Sequence, residues 1–118
     1  MSRRRKDLGD WGEDVAAAHL VAKGFRILDR RLRLGPGEID LLAQDGETLV
    51  FVEVKALHGG VGMDPAENVH AAKRRRLVRA ARAYLARLAR EPYCRFDVVT
   101  CLREPGVRVE HLAGAFTA

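Results

Sequence analysis

The run Leu49-Val50-Phe51-Val52-Glu53-Val54-Lys55 constrains the fold more than any other stretch of this chain. Its valines and phenylalanine suit a strand covered on nearly both faces, which requires other structure packed on each side of the sheet that holds it. Yet it carries an acid and a base two residues apart, and charge in such surroundings is costly unless partners are built around it. The segment before it repeats the theme: Gly37-Glu38-Ile39-Asp40-Leu41-Leu42 is a second apolar strand with acids in it, and Asp45-Gly46 is a reversal signal between the two. Alternation puts Glu38, Asp40 and Leu42 on one face of the first strand, and Phe51, Glu53 and Lys55 on one face of the next. A tight turn makes these strands neighbours and sets Asp40 opposite a position between Phe51 and Glu53.

Around this pair the remaining elements can be read from punctuation and periodicity. Asp7 to Lys23 is alanine-rich and free of proline, and Gly24 stands where a left-handed helix stop belongs. In that helix Leu8, Trp11, Val15, Ala18 and Ala22 form a wide apolar stripe, with Ala16, Ala17 and Leu20 on the other side, so both faces are expected to be covered. Phe25 to Leu34 alternates loosely and meets a turn at Gly35-Pro36-Gly37. Ala56 to Met63, with Gly59, Gly60 and Gly62, is expected to be a mobile loop just beyond the third strand. Asp64 as N-cap, Pro65 and Glu67 then open a second helix running to about Arg90, which Pro92 stops. Cys94 to Leu102 reads as a strand, and Val107 to Leu112 as a short final one after the Pro105-Gly106 turn. The order is αβββαββ in a single α/β domain over residues 1–118, with residues 1–6 a basic tail expected to lack fixed structure.

Two carboxylates meeting in an apolar strand setting repel one another and lose hydration, which a hard divalent cation such as Mg²⁺ relieves. Lys55, on the face of Glu53, could orient or deprotonate a water for attack on phosphorus. Asp40, Glu53 and Lys55 are thus the set that a phosphodiester hydrolase needs. The alternative is a surface ladder of ion pairs worth little energy. The apolar setting of Glu53 and the matched acidic strand before it favour the catalytic reading.

Asp40 followed by Glu53-Val54-Lys55 resembles the PD-(D/E)xK nuclease signature. From about Leu8 to Phe116 the chain resembles the YraN-like family of bacterial endonuclease-like proteins, which is similar to archaeal Holliday junction resolvases. The matching words are Gly12-Glu13, Gly37-Glu38-Ile39-Asp40, Phe51-Val52-Glu53-Val54-Lys55, Lys73, Arg95-Phe96-Asp97-Val98-Val99 and Ala115-Phe116. The resemblance implies a restriction-endonuclease-like fold with a mixed central sheet flanked by helices. It also implies that Asp40 and Glu53 are ligands for Mg²⁺, with Mn²⁺ as a substitute, that Lys55 is the catalytic lysine, and that Glu13 is an additional acid aimed from the first helix. Spacing alone leaves Glu13 open between an inward acid and a solvated charge near a helix N-terminus. Lys73 shares the inward stripe of Val69, Leu77, Ala80 and Tyr84, so it either reaches the active edge of the sheet or snorkels to solvent. Two positions depart from the family pattern: Leu57 stands where relatives commonly have arginine, removing a phosphate contact, and Arg31 where asparagine is usual. Catalytic competence stays open on that account, because the superfamily includes members that look inactive.

Charge points to the same class of partner. The chain has 21 Lys and Arg against 16 Asp and Glu, a net +5 with neutral histidines, which favours polyanions. On the second helix Arg75, Arg79 and Arg82 fall along one stripe, and with Lys73 and Arg74 they form a candidate nucleic-acid-binding rail; Arg3, Arg4, Arg5 and Lys6 add charge at the other end. Aromatic residues amount to 6% with no aromatic–glycine run, so duplex or branched DNA is expected rather than stacking on single strands. Cys94 and Cys101 lack the spacing of a zinc site and read as strand residues in a reducing compartment. With no signal-type or membrane-spanning stretch, a cytoplasmic protein without membrane contact is expected. Of the four histidines only His58 falls near the site, as incidental polarity. Asp97 is expected to face away from the Phe96 and Val98 side, in a structural role. A first helix apolar on both faces is compatible with a homodimer. The expected function is a Mg²⁺-dependent endonuclease-like protein acting on DNA, on branched or repair intermediates, with a catalytically inactive nucleic-acid-binding or adaptor module as the alternative.

Overall fold

The computed structural model describes residues 3–58 and 67–117. The elements are α1 (Arg3–Ala22), β1 (Arg26–Leu34), β2 (Gly37–Asp45), β3 (Thr48–Leu57), α2 (Glu67–Leu85), β4 (Cys94–Leu102) and β5 (Arg108–Phe116). This is the αβββαββ order expected. The five strands form one sheet in chain order, β1-β2-β3-β4-β5. β3 and β4 are parallel, because α2 carries the chain back between them, and every other pair is antiparallel. The sheet is therefore mixed.

Two positive-φ glycines set the hairpins. Gly35 (φ 60) lets Leu34 pair with Gly37, and Gly46 (φ 60) lets Asp45 pair with Thr48. As expected for a strand covered on both sides, Leu49 through Val54 are all buried. Val50, Val52 and Val54 join Leu41, Ala43, Val99 and Cys101 in a core closed by Ala16 and Leu20 of α1. Phe51 and Leu49 join Leu42, Ile39 and Phe96 in a second core, closed by Leu77, Ala80 and Ala81 of α2.

Four boundaries or faces differ from the sequence reading. Helix α1 starts at Arg3 rather than Asp7. Its contact line is Gly12, Ala16 and Leu20, one residue per turn, flanked by partly buried Trp11, Val15 and Ala17. Ala18 and Ala22 of the expected stripe are exposed, as is Val21 at 55%. Helix α2 ends at Leu85 instead of about Arg90, because the chain tightens there: Arg87 N–H donates to Tyr84 and Leu88 N–H to Leu85, three residues back. Strand β5 runs to Phe116 rather than stopping at Leu112. The register shifts between Phe96 and Val98, and Gly114 (φ 62) absorbs the irregularity so that Phe116 regains a partner in Phe96. The expected cap at Asp64 and Pro65 and the glycine-rich loop of Gly59, Gly60 and Gly62 lie outside the described residues.

Two glycines allow the helices to approach. A Cβ on Gly12 would lie 2.6 Å from Ala56 Cβ on β3. One on Gly37 would lie 2.4 Å from the Arg76 carbonyl oxygen and 2.7 Å from Ala80 N on α2. Each therefore seats a helix against the sheet at a place where only glycine fits.

Asp97 has the structural surroundings expected. It is fully buried at the β4 irregularity, facing away from Phe96. Arg95 Nε donates to its Oδ1 at 2.9 Å, Gly114 N–H to the same oxygen at 3.0 Å, and His111 Nε2 lies 2.7 Å from Oδ2. Lys23 can only donate, so its 2.9 Å contact with His111 Nδ1 leaves the imidazole hydrogen on Nε2, directed at Asp97. Arg95 also reaches Asp45 at 3.0 Å, which ties the β2–β3 turn to β4.

Candidate functional site

The β2–β3 ladder runs from Asp45↔Thr48 to Leu41↔Val52. One step further along, the same register sets Asp40 against Glu53, so both acids stand where the two strands cease to pair. Leu42 and Phe51, the pair of the same parity, face α2.

Asp40 is held from two directions. Its Oδ2 accepts a hydrogen bond from Val54 N–H at 2.8 Å and an ion pair from Lys73 Nζ at 3.1 Å. Lys73 also donates to the Val54 carbonyl at 2.9 Å. The backbone of Val54 is thus bracketed by a carboxylate from β2 and an ammonium from α2, which fixes the end of the ladder. Of the two readings open for Lys73, the structure selects the one directed at the sheet, and its ammonium lies in the cleft rather than on the arginine side of α2.

That cleft, about 300 Å³, is lined by Leu8, Gly9 and Glu13 of α1, by Asp40, by Val54 and Ala56 of β3 and by Lys73. Glu13 therefore points inward, with its side chain 12% exposed. Burial, and next the neighbouring charge of Asp40, push its carboxyl up to about 7 from 4.5, against the pull of Arg30 and Lys73. Arg31 holds Glu13 from the outer side: its Nε donates to Oε1 at 2.6 Å, and its Nη2 pairs with Asp10. Arg31 has φ 51, a left-handed conformation that asparagine adopts more readily than arginine.

Glu53 is 1% exposed and does not line the cleft. Both of its carboxyl oxygens are buried, and neither has a hydrogen-bond partner among the described residues. Lys55, two residues on, is half-buried and lies beside Thr100 of β4 in the parallel register. Among the described residues no group of three or more His, Cys, Asp or Glu is gathered to hold a metal ion. Any cation here would rest on the pair of acids plus water and substrate oxygens, which is how Mg²⁺ is commonly bound.

Arg74, Arg75, Arg79 and Arg82 lie together along a groove between α2 and the end of β5. His58 contacts Glu104 at 3.6 Å, with both side chains exposed, as incidental polarity would have it. Sequence reading missed the ion pair of Arg31 with Glu13 and the convergence of His111, Lys23 and Asp97. Their partners are far apart in the chain, so no local pattern announces them.

A family described as "Uncharacterised protein family UPF0102" matches residues 12–101. A UPF0102 protein of Symbiobacterium thermophilum is 56% identical over 107 residues, covering 90% of this chain and 86% of its own. One from Syntrophotalea carbinolica is 47% identical, covering 98% of this chain and 96% of its own. One from Frankia alni is 48% identical, covering 98% of this chain and 100% of its own. The match spans both the Gly37–Asp40 and Phe51–Lys55 words.

Proposed function

The chain belongs to the UPF0102 family, and from that premise we propose that it is a Mg²⁺-dependent, endonuclease-like protein of restriction-endonuclease-like fold that acts on DNA phosphodiester bonds, including those of branched or repair intermediates. The observation that carries this reading is the carboxyl of Glu53, buried without a hydrogen bond among the described residues, one step past the ladder and in register with Asp40. A carboxylate so placed costs free energy until something cationic meets it, and hard oxygen donors on neighbouring strands suit Mg²⁺, or Mn²⁺ in its place.

Asp40 and Glu53 would hold the ion. When bound, it supplies Lewis acidity at a phosphoryl oxygen and screens the charge of a pentavalent transition state. Lys73 and Val54 N–H fix the Asp40 carboxylate where β2 and β3 cease to pair, so the acid does not have to be ordered when substrate arrives. Lys55 brings an ammonium on the strand parity of Glu53, suited to holding an attacking water or a phosphate oxygen. Glu13, poised near neutral in the cleft, can take up or return a proton at its carboxyl.

The test is incubation of the purified protein with labelled linear, flap and four-way DNA in Mg²⁺ or Mn²⁺. Nicks should appear, and Asp40→Asn and Glu53→Gln should each lose them by at least about a hundredfold, the scale of removing a positioned electrostatic group. Nicking that continues unchanged in both variants would remove these residues from the mechanism.

The Lys73–Asp40 ion pair favours a second reading, a nucleic-acid-binding module in which a lysine takes the place of a cation at Asp40. Calorimetric titration with Mn²⁺ separates the two. Uptake that disappears in Glu53→Gln supports the nuclease, and DNA binding without any metal uptake supports the module.

A further inference from the structure

The arginines of α2 occupy a place of their own. Lys73 turns into the cleft, whereas Arg74, Arg75, Arg79 and Arg82 line a groove of about 510 Å³ on the side of the helix facing the end of β5. Among the described residues no carboxylate lines this groove, and no ion pair joins any of the four guanidinium groups to an acid. Four uncompensated cations along less than three turns of helix repel one another, which a polyanion would relieve.

Charge alone would fit any phosphate, but the floor is not polar. Val78 and Phe116 contribute to it. Phe116 lies 4.9 Å from Phe96 with ring planes 20° apart, and Phe96 lies 5.5 Å from Phe51 in the core. Arg74 caps the series, its guanidinium carbon 4.7 Å from the Phe116 centroid, and its Nε is buried without a hydrogen-bond acceptor among the described residues. A cation is thus held on an aromatic stack rooted in the hydrophobic core, with exposed arginines around it. A duplex backbone would meet the charges and leave the apolar floor unused. A single strand offers phosphates to the outer arginines and a base to the floor and the Arg74 plane.

We propose that this groove binds a single-stranded segment of nucleic acid, through phosphates at Arg75, Arg79 and Arg82 and a base at the Arg74–Phe116 platform. The inference rests on the DNA-acting reading above and names a part of that substrate: an unpaired arm beside the duplex, as in a flap. It departs from the expectation, drawn from low aromatic content, of duplex or branched DNA rather than stacking on single strands. One aromatic ring suffices when an arginine extends its stack.

The test is fluorescence anisotropy with the full chain in EDTA, where no Mg²⁺-dependent cleavage can occur, so the outcome is independent of whether the protein is a nuclease. The probes are a thymidine oligonucleotide of about ten nucleotides, an abasic oligonucleotide of the same length, the matching duplex and inorganic phosphate. The thymidine strand should bind about tenfold more tightly than the abasic one. The double variant Arg75→Gln/Arg79→Gln should weaken it about tenfold or more, while the equal charge change Arg87→Gln/Arg90→Gln, outside the groove, should alter it less than about twofold. Equal affinity for thymidine and abasic strands, tighter binding of the duplex, or equal losses in the two double variants would each overturn the proposal. Competition by inorganic phosphate at equal phosphate concentration would also do so, by reducing the groove to a simple anion site.

Discussion

Glu13 is raised to about 7 because its carboxyl is buried beside Asp40, so its protonation state changes within the ordinary working range. The native state therefore binds more protons than the unfolded chain between 4.5 and about 7, and folding stability should decline as pH rises across that window. Chemical denaturation at a series of pH values should show this slope, and Glu13→Gln should flatten it. In Arg31→Asn, which suits φ 51 better but removes the cation at Oε1, the Glu13 carboxyl should titrate higher still, as read by carbon NMR of that carboxyl. The same scale holds the sharpest steric limit. A methyl at position 37 would meet backbone atoms of α2 at 2.4 and 2.7 Å, and backbone cannot swing aside. Gly37→Ala should cost about 2 kcal/mol in urea denaturation, and it should do so without touching any charge in the cleft.

Among the elements, α2 works on both of its sides: its buried line of Leu77, Ala80 and Ala81 seals a core, Lys73 enters the cleft, and the arginines face the groove. Strands β4 and β5 depend on a polar anchor instead. Burial raises the Asp97 carboxyl, but Arg95, the Gly114 N–H and His111 outweigh it and hold the group below its ordinary value. With the folded value below the unfolded one, the native state binds fewer protons. The stabilisation is present above the unfolded value of about 3.9 and is lost as pH falls through the folded value. Asp97→Ala strips three donors of their acceptor and should cost about 3 kcal/mol near neutrality. In thermal melts the gap to the parent protein should narrow only below about pH 4.

At the level of the whole molecule, the sheet divides the protein into two packed layers, and the described features fall on separate parts of them. Gly37 seats α2 on β2 against Arg76 and Ala80, whereas Asp97 locks β4 to β5 through Arg95, His111 and Gly114, so the partners named at the two sites differ. The losses of Gly37→Ala and Asp97→Ala should add within about 0.5 kcal/mol in the double variant. The outer side of α1 carries Ala18 and Ala22, the part of the expected apolar stripe that the fold leaves uncovered, together with exposed Val21. No helix among the described residues is long and apolar enough to cross a membrane.

The sequence by itself determined the element order, the two hairpins and the shared strand parity of Asp40 and Glu53, because these follow from local φ preferences and a period of two. It left Glu13 and Lys73 undecided, since a charge on a helix can turn inward or outward according to what packs beside it. The tertiary structure decided them. Gly12 and Gly37 let both helices close on the sheet, and that approach carries Glu13 and Lys73 into one cleft with Asp40. The arginine groove was half legible: the helical stripe could be read, but the aromatic floor comes from Phe116, beyond the expected end of the last strand. Only a positive-φ glycine and a register shift bring that ring beneath Arg74, and such long-range pairing leaves no trace in local pattern.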